Sequence, residues 1–423
     1  MKFKVFSLGC KVNSYECAAL SSMLLRKGYE EAGNDVPDVF IVNTCSVTST
    51  ADQKSRQHIR KFMKLYPNAI MVVMGCYAQG NAEFIASEIK PHILIGTSHR
   101  NEIPDLIEQY QKTGERIVLV DKNPRLYKYE EMGVTSFSEN TRAYLKIQDG
   151  CDNFCTYCII PYRRGKMRSR GKEEIIEEAK YLVKQGYKEI VLTGIHVGGY
   201  GRDIEGVTFS QLVEELLNID GLSSLRISSI EESEIDEHLM TLLETKDNLA
   251  KHLHIPLQSG SETVLKRMNR KYTKEQFLSK INKIKEHFPE LALTTDVIVG
   301  FPGESEEEFE ECYEFIKECG FHMLHVFPYS ARGETPAATM KNQVDPKVKE
   351  ERVHRLMELS KNQWNAYIDQ FIGKEVSVLV ERYDNNLNIG HTSNYLEVAI
   401  PSKEGKIGSK ITVKLQKDMI VSK

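Results

Sequence analysis

Cys151-Asp152-Asn153-Phe154-Cys155-Thr156-Tyr157-Cys158 sets three thiols at Cys-x-x-x-Cys-x-x-Cys spacing, directly after the apolar run Tyr144–Gln148. Such a run reads as a β-strand, and five more strand candidates follow: Glu189–Thr193, Leu225–Ser229, His252–Leu257, Leu293–Val299 and Met323–Pro328. Helix candidates alternate with them at Glu173–Gln185, Thr208–Asn218, Asp236–Thr245, Lys274–His287 and Ser305–Cys319. Successive βα units imply a parallel barrel or partial barrel whose reactive groups lie at the C-terminal strand ends. The thiol loop occupies the first of those ends. The acidic run Glu304–Glu311 opens a helix, where its charge suits the dipole.

Two chemistries fit three thiols at this spacing. A tetrahedral zinc site needs a fourth protein ligand. A four-iron four-sulfur cluster on three thiolates instead leaves one iron open to a substrate or cofactor. A second set of thiols lies upstream, where residues 1 to about 110 alternate strand candidates with helix candidates. The strands are Phe3–Leu8, Val39–Val42, Ile70–Met74 and His92–Ile95; the helices are Ser14–Lys27, Thr50–Tyr66 and Asn81–Glu88. This pattern predicts an open parallel α/β sheet. Three of its strands run into cysteine: Ser7-Leu8-Gly9-Cys10, Val42-Asn43-Thr44-Cys45 and Met74-Gly75-Cys76. C-terminal strand ends share one edge of such a sheet, so these thiols should meet in space. One small buried cysteine at a strand end is ordinary packing; three placed alike point to a second cluster. Cys17, Cys312 and Cys319 read as packing.

The chain has 423 residues, which at roughly 150 per domain suggests about three domains. Residues 111–141 are polar and aperiodic and read as a linker; a long helix spans about Pro346–Phe371. Beyond it Val376–Glu381, Tyr395–Ile400 and Ile411–Leu415 read as short strands of a small all-β barrel of oligonucleotide-binding type. With 41% hydrophobic and 27% charged residues the chain is globular. It holds no apolar run approaching the roughly 18 residues of a membrane span. Its start reads as a strand, not a signal peptide. Nine cysteines, an odd number in a chain without an export signal, argue against a disulfide framework. A net charge of −4 leaves nucleic-acid binding to local basic patches. Candidates are Arg164, Arg168 and Arg170 in the basic run after the thiol loop, and Lys54, Arg56, Arg60, Lys61 and Lys64 on one helix. The tail from about Phe371 carries eight Lys or Arg against six acids, too small a surplus to indicate RNA by itself.

With both triads in place, the chain resembles the radical S-adenosylmethionine methylthiotransferase family over nearly its whole length. Gly9-Cys10-Lys11-Val12-Asn13 most resembles the branch acting on N6-threonylcarbamoyladenosine in tRNA. The isopentenyladenosine branch usually reads Gly-Cys-Gln-Met-Asn there, and the branch modifying an aspartate of ribosomal protein S12 usually reads Gly-Cys-Pro-Lys-Asn. The resemblance implies residues 1–112 as an N-terminal domain with an auxiliary cluster, 137–368 as a radical domain built as a partial (β/α)6 barrel, and 371–423 as a TRAM RNA-binding barrel. It implies two 4Fe-4S clusters, with Cys151, Cys155 and Cys158 holding the radical-generating one and Cys10, Cys45 and Cys76 the sulfur-donating one. S-adenosylmethionine would serve as methyl donor and as source of a 5′-deoxyadenosyl radical. Its contacts are expected at Thr193 and Gly194, Glu231, Gln258 and Ser259, and Val299 and Gly300. Glu232 stands where the family often has proline. The implied reaction adds a methylthio group to carbon 2 of the modified adenosine next to the anticodon. The implied partners are the tRNA anticodon loop and an electron donor such as flavodoxin or ferredoxin, with neither DNA nor a membrane, in the cytoplasm. Rival readings are a methylthiotransferase for another acceptor and a non-catalytic metal-cluster RNA-binding protein.

Overall fold

The computed structural model describes residues 1–133 and 141–421, so the domain boundary expected at residue 137 and the basic Lys423 lie outside the described residues. Near the N-terminus, β1 (Lys2–Ser7), β2 (Glu30–Glu31), β3 (Val39–Thr44), β4 (Ile70–Gly75), β5 (Ile93–Ile95) and β6 (Ile117–Leu119) form one sheet in the order 2-1-3-4-5-6. All neighbouring pairs are parallel. All six residues of β3 are buried, as expected of an interior parallel strand covered on both faces. The strand order reverses between β1 and β3, which opens a crevice at the C-terminal edge. Cys10 and Cys45 follow those two strands, and Cys76 follows β4 beside them. The sequence reading missed β6, which is only three residues long inside a polar stretch, and the helix Ile103–Thr113. The helix expected over Asn81–Glu88 is broken into Ala82–Phe84 and a π-turn, Ile85–Ile89.

The central unit comprises β7 (Arg142–Lys146), β8 (Gln148–Asp149), β9 (Arg168–Ser169), β10 (Glu189–Thr193), β11 (Ser224–Ile227), β12 (His252–His254), β13 (Ala292–Val299) and β14 (Met323–Pro328). The parallel strands run β7-β10-β11 and β12-β13-β14. The seam between β11 and β12 is spanned by the bridge Leu225–Leu249 and by Ile230 N–H donating to His254 O at 3.0 Å. The result is an open barrel of six parallel strands in chain order. The short antiparallel pair β8–β9 brackets the thiol loop.

The last sheet, β15 (Glu375–Asp384), β16 (Leu387–Thr392), β17 (Glu397–Pro401) and β18 (Lys410–Lys414), is antiparallel in the order 17-16-15-18. A bridge from Val398 to Ile420 curls it toward closure. Its turn residues sit under the barrel. The Tyr395 ring stacks on His252 with centroids 4.8 Å apart, and Arg226 donates to Ser393 O at 3.1 Å. The N-terminal strand ends are therefore covered and the C-terminal ends are left for chemistry. No helix among the described residues is long and apolar enough to cross a membrane.

Two features fix the first sheet against the barrel. Helix Lys11–Arg26 buries Tyr15, Ala19, Leu20 and Leu24 in a cluster shared with Ala143, Leu145 and Ile175, so the core is continuous between them. Beside it lies a buried charge network. Glu16 accepts from Arg100, from Lys146 at 3.0 Å and from Arg164 at 2.7 Å. Asp149 accepts from Lys146 at 2.7 Å, Arg164 at 3.1 Å and Arg168 at 3.2 Å. Burial alone would raise both carboxyls, but the surrounding cations hold them well below the usual carboxylate range. Breaking a buried network from one side typically costs about 3–5 kcal/mol, because the remaining charges stay desolvated and uncompensated. Glu16→Gln should therefore lower stability by about that much, read as a reduced urea midpoint of unfolding; an unchanged midpoint would remove this seam as a determinant of the fold.

Candidate active site

The N-terminal thiols are assembled by close backbone approach. Gly9 adopts φ +103°, and a Cβ there would lie 2.6 Å from both Cβ and Sγ of Cys45. Gly75 adopts φ +102°, and a Cβ there would meet Asn43 Oδ1 at 2.4 Å and Thr44 O at 2.5 Å. Glycine is what lets Cys10 and Cys76 come up beside Cys45. Asn13 staples the strand ends: its amide donates to Leu8 O at 2.6 Å and Thr44 O at 3.2 Å. Burial, with Cys76 and Cys10 close by, pushes the Cys45 thiol up to about 11. Cys76 is likewise raised, chiefly by burial, against the pull of Arg164. Asn13 went unassigned in the sequence reading, although it closes the same motif as Cys10.

The second triad lies across the seam. Cys158 N–H donates to Cys155 O at 2.9 Å, and Asn153 N–H points at Cys151 Sγ at 3.5 Å. Phe154, at φ +48°, turns the chain between them. Burial first, then Cys155 and Cys151, pushes Cys158 up to about 12. Thiols that crowd and desolvate one another carry protons until a metal displaces them. His196 Nδ1 stands 4.0 Å from Cys151 Sγ while its Nε2 lies 2.6 Å from the buried Glu234. Arg270 directs one guanidinium N–H at Cys155 Sγ (3.7 Å) and another at Glu231. A single metal ion needs three donors converging on one point, and no such group of His, Cys, Asp or Glu occurs among the described residues. A four-iron cluster instead takes each thiolate on a separate iron, and both triads fit that donor requirement.

A cleft of about 210 Å³ opens beside the barrel thiols and is lined by Gly194, Glu231, Gln258 and all three cysteines. Gln148 shapes it: its side-chain oxygen accepts from the backbone N–H of Ile195 (3.0 Å) and His196 (2.8 Å), fixing the turn after β10. Thr193, Ser259 and Val299 are buried away from this cleft. Gly300 N–H is taken by Glu304 at 2.6 Å, and Lys349 packs over it. A second, more apolar cavity of about 260 Å³ shares Tyr157, Cys158, Ile160 and Gln258 with the first. Its far wall includes Val47 and Thr48 from the loop after Cys45, and Phe327 and Tyr329 from the end of β14. One space thus touches the loops of both triads.

The arginines expected to grip RNA turn inward instead. Arg164 is wholly buried between Glu16, Asp149, Asn13 and Cys76. Arg168 pairs with Asp149, and Arg170 with Glu131 and Glu178 at 2.7 Å. Their partner acids all lie outside the run, from Glu178, 8 residues on, to Glu16, 148 residues back, so counting charge within the run could not reveal the pairing. The basic helix Ser49–Leu65 behaves differently: Lys54, Arg60, Lys61 and Lys64 are exposed beside the Cys45 loop.

Residues 145–316 match the model of the radical SAM superfamily, and residues 2–96 that of the uncharacterized protein family UPF0004. The chain is 47% identical to the threonylcarbamoyladenosine tRNA methylthiotransferase MtaB of Bacillus subtilis (strain 168), covering 97% of this chain and 93% of that protein. It is 35% identical to the tRNA-2-methylthio-N(6)-dimethylallyladenosine synthase of Acetivibrio thermocellus, over 97% and 87% of the two chains. Among solved structures, the radical S-adenosylmethionine methyltransferase TsrM from Kitasatospora setae shares the fold, with a TM-score of 0.60 at 12% identity over 80% of this chain and 77% of that one. Extended similarity to named methylthiotransferases, together with two thiol triads set across one seam, leads to one conclusion: the chain belongs to the radical S-adenosylmethionine methylthiotransferase family.

Proposed function

We propose that this enzyme adds a methylthio group to carbon 2 of N6-threonylcarbamoyladenosine in the anticodon loop of tRNA. The observation that carries this reading is the apolar cavity touching the loops of both thiol triads. On this reading Cys151, Cys155 and Cys158 would hold one 4Fe-4S cluster and Cys10, Cys45 and Cys76 the other, and S-adenosylmethionine would take the cleft lined by Gly194, Glu231 and Gln258. When bound, these groups supply a methyl group, a sulfur and the one-electron cleavage that removes the unactivated hydrogen of carbon 2. The protein's part is placement. Ile160, Ile298 and Pro328 keep the cavity apolar, and Phe327, half-exposed at its wall, offers a face on which a splayed-out base can stack. Residues 1–112, 137–368 and 371–423 would divide the work among sulfur donation, radical chemistry and RNA contact. The exposed lysines and arginine of helix Ser49–Leu65 take the RNA-phosphate role first given to Arg164, Arg168 and Arg170. An electron donor such as flavodoxin or ferredoxin and a cytoplasmic setting complete the reading.

The relative named for dimethylallyladenosine keeps a second acceptor in play, and Lys11 separates the two. It follows Cys10 and forms no ion pair with any described residue, and partial desolvation of its ammonium, then the nearby Arg226 and Arg142, lower its pKa. Its charged neighbours are Arg226, Arg142 and Glu189, and the glutamate is already shared by both arginines. An unpaired ammonium there can meet the carboxylate that a threonylcarbamoyl group carries and an isopentenyl group lacks. Lys11→Gln should raise KM for threonylcarbamoyl RNA about tenfold, roughly 1.4 kcal/mol, with iron content unchanged; an unaltered KM would sink this role for Lys11. Phe327→Ala should weaken RNA binding by about 1–3 kcal/mol while S-adenosylmethionine cleavage persists. Deleting the gene and analysing tRNA nucleosides by mass spectrometry tests the function itself. Loss of the methylthio nucleoside with accumulation of its unthiolated parent is expected, and persistence without a redundant enzyme would overturn it. A Cys155→Ala protein should not cleave S-adenosylmethionine, and a Cys45→Ala protein should cleave it without methylthiolating.

A further inference from the structure

We propose that Arg164 is a positioning residue for the N-terminal cluster, serving as its counter-charge and hydrogen-bond donor from across the domain seam. The inference deepens the reading above and rests on Cys76 being a cluster ligand. Arg164 belongs to the helical turn Ile160–Arg164 that follows the barrel thiol loop, yet its Nε donates to Cys76 Sγ at 3.3 Å. Its outer nitrogens are used elsewhere: Nη2 donates to Asn13 Oδ1 at 3.1 Å, and Nη1 to Glu16 at 2.7 Å and Asp149 at 3.1 Å. Because Asn13 in turn holds Leu8 O and Thr44 O, this one side chain reaches the segments carrying Cys10, Cys45 and Cys76. The rigid fork of the guanidinium makes this possible; an ammonium has no counterpart to the separate Nε edge.

Charge points the same way. The seam gathers four cations, Arg100, Lys146, Arg164 and Arg168, against three carboxylates, Glu16, Glu130 and Asp149. Of these cations Arg164 also donates to Cys76, so the surplus positive charge is balanced when that sulfur is a metal-bound thiolate. A cation donating N–H to a ligand sulfur favours the more negative, reduced form of a cluster and so raises its reduction potential. Because the donor belongs to the radical domain, the N-terminal site is complete only when the two domains are docked.

The test uses the full chain with Cys151→Ala, Cys155→Ala and Cys158→Ala, so that only the N-terminal cluster is rebuilt from iron and sulfide. Its reduction is followed by electron paramagnetic resonance in a mediated redox titration. Arg164→Gln should lower the ratio of reduced to oxidised cluster about tenfold at fixed potential, about 59 mV for a one-electron couple. Arg164→Lys, which keeps the charge but not the Nε edge, should fall between. An unchanged potential in Arg164→Gln at equal iron content overturns the proposal. Should that variant not fold, the Arg164-intact chain grown on ¹⁵N-arginine decides the matter. Pulsed resonance on the reduced cluster should show a nitrogen-15 coupling, and its absence overturns the proposal. If the triple-alanine parent binds no iron at all, it is the assignment of Cys10, Cys45 and Cys76 as ligands that fails.

Discussion

Glu16 and Asp149 are almost wholly buried carboxylates, one on the first helix of the N-terminal sheet and the other at the end of the first barrel strand, and both are satisfied by the same arginine. Neither charge is stable in the interior alone, because isolated buried ions are too costly without partners. The network therefore exists only when the two parallel sheets are docked with their C-terminal edges turned toward each other. Every other feature of the site follows from that docking. The loop after Cys45 reaches the end of β14, where Ser49 N–H donates to Ser330 Oγ at 3.2 Å. The turn at Cys76–Gly80 meets the turn at Ile160–Arg164. Buried ion networks often add little net stability; the specificity of this docking is the stronger reason for one here.

The same geometry separates two environments. On one flank of the thiol loop the chain packs buried charge against buried charge; on the other it leaves an apolar cavity. Arg163 illustrates the division: its guanidinium pairs with Glu334 at 2.7 Å, while its backbone oxygen accepts from Thr97 Oγ1 at 2.7 Å. The first contact ties the turn after the barrel thiols to the loop after β14 within the same domain, and the second ties that turn to the N-terminal domain.

What the sequence revealed and what it hid divide along the same physical line. Regular elements were legible because their information is local. The bounds of β10, β14 and helix Lys274–His287 follow from hydrophobic period and capping residues such as Thr273, whose side chain accepts from Gln276 N–H. The strand-end cysteines were legible because topology converts separation along the chain into adjacency in space. The arginine run was misread because its meaning is not local: Arg164 meets Glu16 across 148 residues and Arg170 meets Glu131 across 39. The strands β16 and β6 were missed for a humbler reason: β6 is only three residues long, and β16 (Leu-Asn-Ile-Gly-His-Thr) carries just two apolar side chains among polar neighbours.

This division bears on how such a protein changes its acceptor without rebuilding its chemistry. The N-terminal cysteines are held by glycines at positive φ, where a Cβ would clash, by Asn13 and by the seam. Lys11 and Phe327 sit beside that machinery, yet neither anchors the cysteines or the seam. Lys11 leaves its charge unpaired among the described residues, and Phe327 leaves much of its ring exposed. Residues of this kind can be exchanged at little structural cost. A chain built on one pair of thiol triads can therefore vary side chains outside that framework at little structural cost, while the framework itself is held by buried charges at the seam.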